Sequence, residues 1–338
     1  MDKKGYTKLV EKQILEGIRH SRVKLQNLAK TFGISDKTIV KELTELAIVN
    51  AAKKIAKENN IKEGFIKIVE VYNRQMNMSF RTSMSILLQQ YSTPAPIGFL
   101  MGYYCGLQYG KTFLEPSAGN GLLTILGDPK KGFVNELDKI RFSNLKTMGY
   151  AYCGNQDASI PFLSPIKGKT FDAVVSNPPF GKLPNKNKYN GFPISDLDHW
   201  MVLNSLNYLK SNGKAAFIIG GHTKYDDLGR IKRGKNSYFL HALYRYFNVE
   251  DVIPLDGHKL YSRQGTAFDT RLILINGKKD NPIGQAPLKS KELETPITDF
   301  NHLFNRVDNH LKHCSRKKKA IAIANALKLK LKLNQINS

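Results

Sequence analysis

Short apolar runs alternate with polar turns through the middle of the chain. Seven of these runs are bounded by glycine, proline or acidic residues and predict β-strands. They lie at 111–115, 132–136, 152–157, 171–175, 214–219, 249–255 and 270–275. Helical periodicity occurs between several of them, for example over 198–209. The pattern indicates an α/β fold with a doubly wound, mostly parallel sheet.

Residues 1–87 have a different pattern, with apolar positions at helical spacing and no catalytic signature. Within 25–46, Gly33 ends one predicted helix and Ser35 is placed to cap the next. This punctuation is typical of a helix-turn-helix that reads DNA. A structural helical bundle is the alternative, because the second helix continues to about Lys57 without a strand pair that would form a wing.

Polar residues close four of the predicted strands at nearly equal spacing. Glu115, Glu136, Asp157 and Asn177 are separated by 21, 21 and 20 residues. This is the repeat length of a βα unit, and the carboxyl ends of parallel strands meet at one edge of a sheet. We therefore expect the four side chains to line one crevice.

A glycine-rich turn follows the first of these strands. Gly119 and Gly121 lie between Glu115 and a helix predicted to begin near Leu122. Because glycine has no Cβ, a ligand can lie directly against the backbone here. An acidic residue about 20 positions after such a turn is where doubly wound folds bind a ribose.

The strand at 171–175 leads into Asn177, Pro178, Pro179 and Phe180. The prolines fix φ and remove backbone donors, so the local carbonyl groups remain acceptors. The Asn177 side-chain oxygen and the Pro178 carbonyl can both accept from one planar amine, and Phe180 offers a face for stacking. The arrangement suits methylation of an amide or an exocyclic amine. A plain proline-rich turn is the alternative.

Residues 115–121 and 177–180 resemble motifs I and IV of the S-adenosylmethionine-dependent amino-methyltransferases, which include the adenine-N6 enzymes. Residues 89–94 resemble motif X of the gamma-order DNA adenine methyltransferases. The resemblance covers residues 88–277 and implies a methyltransferase domain with a seven-stranded Rossmann-like sheet. It also implies S-adenosylmethionine as the cofactor.

The resemblance assigns roles to particular residues. It places the methionine end of the cofactor near the turn, the ribose on Glu136, the adenine amino group on Asp157 and the target base on residues 177–180. The cofactor site that it implies comprises Tyr91, Ser92, Thr93, Pro94, Glu115, Ser117, Gly119, Asn120, Gly121, Glu136, Asp157 and Asn177. The transfer that it implies is direct and in line, and it needs no general base.

Two connections supply candidates for contact with the substrate. Residues 181–197 are predicted to form a polar loop that contains Lys182. The turn between the last two strands occupies the place of the family's motif VIII, which makes Arg263, Gln264 and Phe268 secondary candidates. An ordinary solvated connection and a plain hairpin are the respective alternatives.

The amino-acid composition indicates what kind of molecule the protein binds. Lysine and arginine total 52 against 28 acidic residues, so the formal net charge is +24 and a phosphate-binding surface is its simplest use. Three cysteines without a CxxC pair indicate a reducing cytoplasm and argue against structural zinc, and no metal is expected. No apolar run approaches the length of a membrane span, and the amino terminus lacks a signal-peptide core.

The region 278–338 departs from the resemblance. Gamma-order enzymes generally place a large target-recognition domain here, whereas this region is short and has no acidic residue after Asp308. A basic tail binds phosphates without reading bases. Sequence recognition is therefore expected to be relaxed, or to come from the N-terminal helices or from another subunit.

Together the features predict a bacterial or mobile-element DNA adenine-N6 methyltransferase of the restriction-modification kind. It would act on double-stranded DNA, whose target adenine must be flipped out of the stack. The alternatives are an RNA adenine-N6 methyltransferase and a catalytically silent DNA-binding subunit. A protein-glutamine methyltransferase is disfavoured, because the excess of positive charge has no use there.

Overall fold

The computed structural model of the protein describes residues 1–78, 92–221 and 223–313. Residues 1–300 form one compact unit, and within the second unit, 301–338, residues 301–313 are helical. The helices are α1 (Lys3–Leu15), α2 (Arg22–Thr31), α3 (Lys37–Glu58), α4 (Ile61–Arg74), α5 (Ala95–Cys105), α6 (Lys139–Lys146), α7 (Leu197–Leu206), α8 (Lys235–Tyr246) and α9 (Gly257–Leu260). None of the described helices is long and apolar enough to cross a membrane.

A helical turn between α2 and α3 is present, with one correction to its predicted cap. Gly33 has the left-handed φ of +72° that ends α2. Asp36 caps α3, because its Oδ1 accepts from the backbone N–H groups of Thr38 and Ile39 at 2.7 and 3.0 Å. The predicted cap, Ser35, precedes the actual one by a single residue.

Helix α3 is buried along most of its amino-terminal half. Every residue from 40 to 49 is buried, including the charged residues Lys41, Glu42 and Glu45. A helix that reads DNA presents an exposed polar face to the groove. The burial of α3 is instead typical of a helix packed in a structural bundle, which is the alternative to a helix-turn-helix that reads DNA.

The core of the protein is a seven-stranded sheet with the order β3-β2-β1-β4-β7-β9-β8. Neighbouring strands of this sheet pair in parallel, except that β9 pairs antiparallel with both β7 and β8. Its central strands are continuous apolar runs because helices cover both faces of the sheet. The strands are β1 (Phe113–Glu115), β2 (Gly132–Asn135), β3 (Tyr152–Gly154), β4 (Phe171–Ser176), β7 (Leu209–Gly220), β8 (Phe247–Leu255) and β9 (Thr270–Lys278). The predicted seven-stranded, doubly wound sheet is confirmed.

Helix α5 packs directly behind the glycine-rich turn. A Cβ atom at Gly98 would lie 2.7 Å from the carbonyl oxygen of Leu122, which is closer than two such atoms can approach. Residues Leu122–Thr124 form a single 3-10 turn, so the helix predicted to begin near Leu122 is wrong. Helix α5 thus packs against the backbone of this 3-10 turn.

The predicted polar loop at 181–197 is a β-hairpin. Strands β5 (Lys182–Tyr189) and β6 (Phe192–Asp196) pair antiparallel as a separate sheet. Asn190 and Gly191 connect them, with φ of +46° and +89°, the backbone of a tight hairpin turn. The prediction failed because most side chains of β5 are polar and exposed, so the strand has no apolar face.

Strand β7 also begins earlier than predicted. The sequence predicted helical periodicity over 198–209 and a strand from residue 214, but α7 ends at Leu206 and β7 begins at Leu209. Leu209 pairs with Phe171, and a bulge follows before Ala173 pairs with Lys214. The bulge accommodates Gly213, whose Cα approaches the carbonyl oxygen of Asp172 too closely for a Cβ atom.

Candidate active site

A cavity of about 480 Å³ lies at the carboxyl edge of the sheet. Its volume is within the usual range for small-molecule sites. The ends of β1, β2 and β4 and the loop after β3 all contribute to its wall. The predicted residues that line it are Ser92, Thr93, Glu115, Ser117, Gly119, Asn120, Glu136, Asp157, Asn177, Pro178, Pro179, Phe180 and Lys182.

The remaining predicted residues have other positions. Tyr91 lies outside the described residues. Pro94 is the N-cap of α5, and Gly121 follows Asn120 directly, but neither is among the described residues that line the cavity. Arg263 and Phe268 are exposed and likewise outside the lining set, so the structure does not bring them to the cavity.

The carboxamide of Asn177 is oriented by the segment that precedes α5. Its Nδ2 donates to Thr93 Oγ1 at 3.0 Å. Gln264 Nε2 in turn donates to the carbonyl oxygen of Thr93 at 3.3 Å. Thr93 is buried, so its hydroxyl and carbonyl connect the Asn177 turn to the motif VIII position. The Nδ2 of Asn177 is thus bonded within the protein, and its amide oxygen is the atom of this side chain that can accept from an N–H group.

Ser117 and Ser176 connect the turn after β4, residues 177–180, to the end of β1. The Oγ atoms of Ser117 and Ser176 lie 2.8 Å apart, and Ser117 Oγ donates to the carbonyl oxygen of Asn177 at 3.3 Å. The turn that follows β1 and the turn that follows β4 are therefore fixed to each other. Groups bound by the two turns would be held at a constant separation.

The glycine-rich turn takes a backbone conformation that only glycine adopts readily. Gly119 and Gly121 have φ of +56° and +86°. The N–H of Gly119 donates to Glu136 Oε2 at 2.7 Å, and the N–H of Asp138 donates to Glu136 Oε1 at 2.8 Å. Glu136 therefore ties the turn after β1 to the loop after β2.

Two buried carboxyl groups lie in the wall of the cavity. Glu115 is only 1% exposed, and its Oε2 has no hydrogen-bond partner in the part of the chain that the structure describes. Burial and then the charge of Glu136 raise its pKa well above the ordinary value, against the opposing charge of Lys53. Burial likewise raises the pKa of Glu136, although Arg141 and backbone N–H groups oppose the shift.

These features suit a cationic ligand with hydroxyl groups. A buried carboxyl oxygen without a partner costs free energy that a cationic or N–H donor would recover. The bare backbone at Gly119 allows a close approach of the ligand. Of the described cysteines, neither Cys105 nor Cys153 lines the cavity, so no described thiol is placed there to act as a nucleophile. The residues present thus fit an amino-acid-bearing nucleoside.

Sequence reasoning missed a buried polar network between α3 and the turn. Arg141 Nε donates to Glu42 Oε2 at 2.8 Å, and Asn120 Nδ2 donates to Glu42 Oε2 at 2.7 Å and to Glu45 Oε2 at 2.8 Å. Glu45 and Arg141 also line the cavity. The available signal was the pair of acidic residues, three positions apart, between the apolar positions Val40, Leu43 and Leu46. Such residues are almost never buried unless they are paired.

The network predicts a pH dependence of stability. Burial alone would raise the pKa of Glu42, but the charges of Arg141 and Lys41, together with hydrogen bonds, outweigh it and lower the pKa to about 2. A carboxyl whose pKa is lowered by folding stabilises the fold above its unfolded pKa and loses that contribution as pH falls. We expect the free energy of unfolding to decrease between about pH 5 and pH 2, and to do so less steeply in Glu42→Gln. Equal slopes in denaturant titrations of the two proteins would contradict the prediction.

A second polar cluster lies at the base of the hairpin and pairs with neighbouring groups of the protein. Asp196, Asp198 and His199 place potential metal-ligating atoms within 4.8 Å of one another. The ammonium of Lys235 lies 2.7 Å from Asp196 Oδ2, and Asp198 Oδ2 accepts from the N–H of Gly220 at 3.1 Å. The cluster therefore acts as a clamp between the hairpin, α7 and α8.

The sequence matches no protein-family model and no curated protein. Solved structures do match. A Listeria monocytogenes protein described as a class I S-adenosylmethionine-dependent methyltransferase aligns over 90% of this chain and 98% of its own, with 14% identity and a TM-score of 0.50. This chain has the class I methyltransferase fold.

Two further structures come from type I restriction-modification systems. One, from work on complex assembly in such a system, aligns over 90% of this chain and 66% of its own, with 14% identity and a TM-score of 0.50. A methyltransferase subunit from Streptococcus thermophilus aligns over 91% and 74%, with 14% identity and a TM-score of 0.48. At these identities the class I methyltransferase fold is what the comparisons establish. In that fold the cavity of this chain lies at the edge where ligands bind to open α/β sheets.

Proposed function

We propose that the protein transfers a methyl group from S-adenosylmethionine to the exocyclic N6 amino group of adenine in DNA. One observation carries this proposal. The residues that resemble the donor-binding motif and those that resemble the acceptor motif line the same cavity. A transfer between two ligands requires such a shared cavity, because the reacting atoms must come into contact.

The proposed donor site uses the buried acids and the glycine-rich turn. S-adenosylmethionine, when bound, supplies a methyl group activated by its sulfonium. The Glu115 carboxylate would meet the ammonium of the methionine end, and Glu136 would accept from the ribose hydroxyls. Asp157, which is exposed at the rim, would accept from the adenine amino group. The residues before α5, Ser92 and Thr93, would close the methionine end.

The proposed acceptor site is the turn after β4. The Asn177 side-chain oxygen and the Pro178 carbonyl would each accept from the target amine, which localises its lone pair and turns it toward the cavity. Phe180 would stack on the base. The nitrogen would bond to the methyl carbon as the bond from that carbon to the sulfonium sulfur breaks, which leaves a neutral thioether. The resulting cationic amine would then lose one proton to solvent. No buried base is required for that step.

Exposed cations support a nucleic-acid substrate. Lys182, Lys186 and Lys188 are exposed on the hairpin, whose first residues line the cavity. A further set, Lys224, Lys232 and Arg233, is found in the connection between β7 and α8. Both segments follow carboxyl ends of parallel strands, which is the edge of the sheet where the cavity lies, and their cations are suited to bind phosphates. A duplex base would reach the cavity only by flipping.

The choice of DNA and of adenine rests on the resemblance of residues 89–94 and 177–180 to DNA adenine methyltransferases. We further propose a protein partner for sequence recognition, since one of the similar structures comes from work on complex assembly in a type I restriction-modification system. The direct test incubates the purified chain with isotopically labelled S-adenosylmethionine and either duplex DNA or RNA of the same sequence. Digestion to nucleosides and mass spectrometry should show labelled N6-methyladenine from DNA. Label in RNA alone, or donor binding without any transfer, would contradict the proposal.

The hairpin lysines provide a second test. We expect Lys186→Ala together with Lys188→Ala to weaken duplex binding and to make the dependence of log affinity on log salt concentration shallower by roughly 2. Lys130→Ala together with Lys131→Ala is the matched control, because these exposed lysines precede β2 at the opposite edge of the sheet. Fluorescence anisotropy over a salt series measures both. Equal losses in the two double variants would show that the hairpin makes no specific phosphate contacts.

A further inference from the structure

Helix α3 contacts the glycine-rich turn, 116–121, and the residues just after it at two separate points. Glu42 and Glu45 make the first contact directly, and Lys53 makes the second through Tyr150, whose hydroxyl lies beside Thr124. We infer that these three residues are positioning residues of the donor site, so that α3 sets the affinity for S-adenosylmethionine through the shape of the turn. The inference rests on the proposed function for the identity of the ligand.

The first contact holds Asn120, which lies between the two glycines of the turn. Its Nδ2 donates to a carboxylate oxygen of each glutamate, at 2.7 and 2.8 Å, and its Oδ1 accepts from Asn144 Nδ2 at 2.8 Å. Asn120 is only 3% exposed. Because both ends of the carboxamide are bonded, the backbone on either side of it is fixed, including the Gly119 N–H that donates to Glu136.

The second contact runs through Tyr150. Lys53 Nζ donates to Tyr150 Oη at 3.2 Å, and the Tyr150 hydroxyl lies 2.6 Å from Thr124 Oγ1. A Cβ atom at Gly121 would lie 2.7 Å from the same hydroxyl, so Tyr150 occupies the space that the glycine leaves. The end of the turn is therefore held between Tyr150 and the 3-10 turn that follows.

A role in packing alone does not account for these groups. The apolar core of the N-terminal helices, which includes Tyr6, Val10 and Leu25, contains no residue of the turn. Buried charges contribute less to stability than apolar side chains of similar size, but they fix direction and distance. In α3 they face the one loop whose geometry decides donor binding. Any ligand that displaces α3 would therefore change the affinity for the donor.

Three variants separate positioning from stability. Glu45→Ala removes one acceptor of the Asn120 amide, whereas Glu45→Gln keeps an acceptor oxygen and removes the charge. Leu25→Ala is the control, because it opens a cavity in the N-terminal core and does not contact the turn. Calorimetry measures the affinity of the full chain for S-adenosylmethionine, and hydrogen exchange of residues 117–124 without ligand reports on the turn itself.

Glu45→Ala should weaken donor binding roughly tenfold and accelerate exchange in the turn. Glu45→Gln should remain within about threefold of the unmodified chain, and Leu25→Ala should lower the melting temperature without changing the affinity. If Glu45→Ala fails to fold, Tyr150→Phe tests the second contact by the same two measurements, with weaker donor binding and faster exchange at Thr124 expected.

Unchanged affinity and exchange in a folded Glu45→Ala or Tyr150→Phe variant would overturn the inference. A loss in Glu45→Gln as large as in Glu45→Ala would also overturn it, since that result indicates a direct contact between charge and donor. If the unmodified chain binds no S-adenosylmethionine, the proposed function fails on its own. The hydrogen-exchange comparison then still decides whether α3 holds the turn.

Discussion

Replacing Asn177 by alanine is expected to lower methyl transfer at least about a hundredfold while affinity for S-adenosylmethionine stays within about threefold. The substitution removes one of the two oxygens that accept from the target amine and frees Thr93 Oγ1 from its bond to the carboxamide. Neither change alters the contacts of the buried carboxyl groups of Glu115 and Glu136. Single-turnover transfer at saturating donor measures the first quantity, and calorimetry measures the second.

The control for this experiment is Asn281→Ala, an exposed asparagine outside the cavity lining, which should leave both quantities unchanged. A parallel loss of donor affinity in Asn177→Ala would contradict the acceptor role. A wild-type rate of transfer would do so more directly, because the proposed chemistry has no other side-chain acceptor for the amine.

Replacing Glu136 by alanine should lower the affinity for S-adenosylmethionine and have little effect on transfer at saturating donor. We expect donor affinity to fall at least about tenfold, because the substitution removes the proposed ribose acceptor and releases the Gly119 N–H from its 2.7 Å bond. The rate of transfer at saturating donor should stay close to that of the unmodified chain. The proposed contact between Glu136 and the ribose is made equally in the bound state and in the transition state, so its loss weakens binding and not the transfer step. Titration calorimetry and the dependence of rate on donor concentration check the two statements.

An exposed carboxylate provides the matched control for Glu136. Glu292→Ala makes the same change in charge far along the chain and should leave donor affinity as it was. Unaltered affinity in Glu136→Ala would show that the ribose assignment is wrong. A loss of rate that saturating donor does not restore would instead assign Glu136 to the transfer step.

The sheet and its edge could be predicted because their signals are local. Each strand is an apolar run that ends in a polar residue, and the equal spacing of Glu115, Glu136, Asp157 and Asn177 follows from the repeat of one βα unit. The structure places all four in the wall of one cavity. Parallel packing converts such a repeat into spatial proximity without further information.

The contacts of α3 could not be predicted in the same way. Glu42 and Arg141 are separated by 99 residues, and their pairing depends on how the N-terminal helices pack against the sheet. The hairpin was missed for a different reason, since its turn signal at Asn190 and Gly191 is clear but its strands lack alternation. The cap of α3 was displaced by one residue because Ser35 and Asp36 are both good caps.

The separate two-stranded hairpin has a consequence for how such proteins diversify. Ile194 fastens it to the main core, with Tyr189 and Phe192 packed beside it, whereas the tip at Asn190 and Gly191 touches only solvent. Lengthening or replacing the tip leaves every hydrogen bond of the seven-stranded sheet intact. If the hairpin contacts the substrate as proposed, tips grafted from other proteins would change those contacts and leave the hydrogen bonds of the scaffold undisturbed.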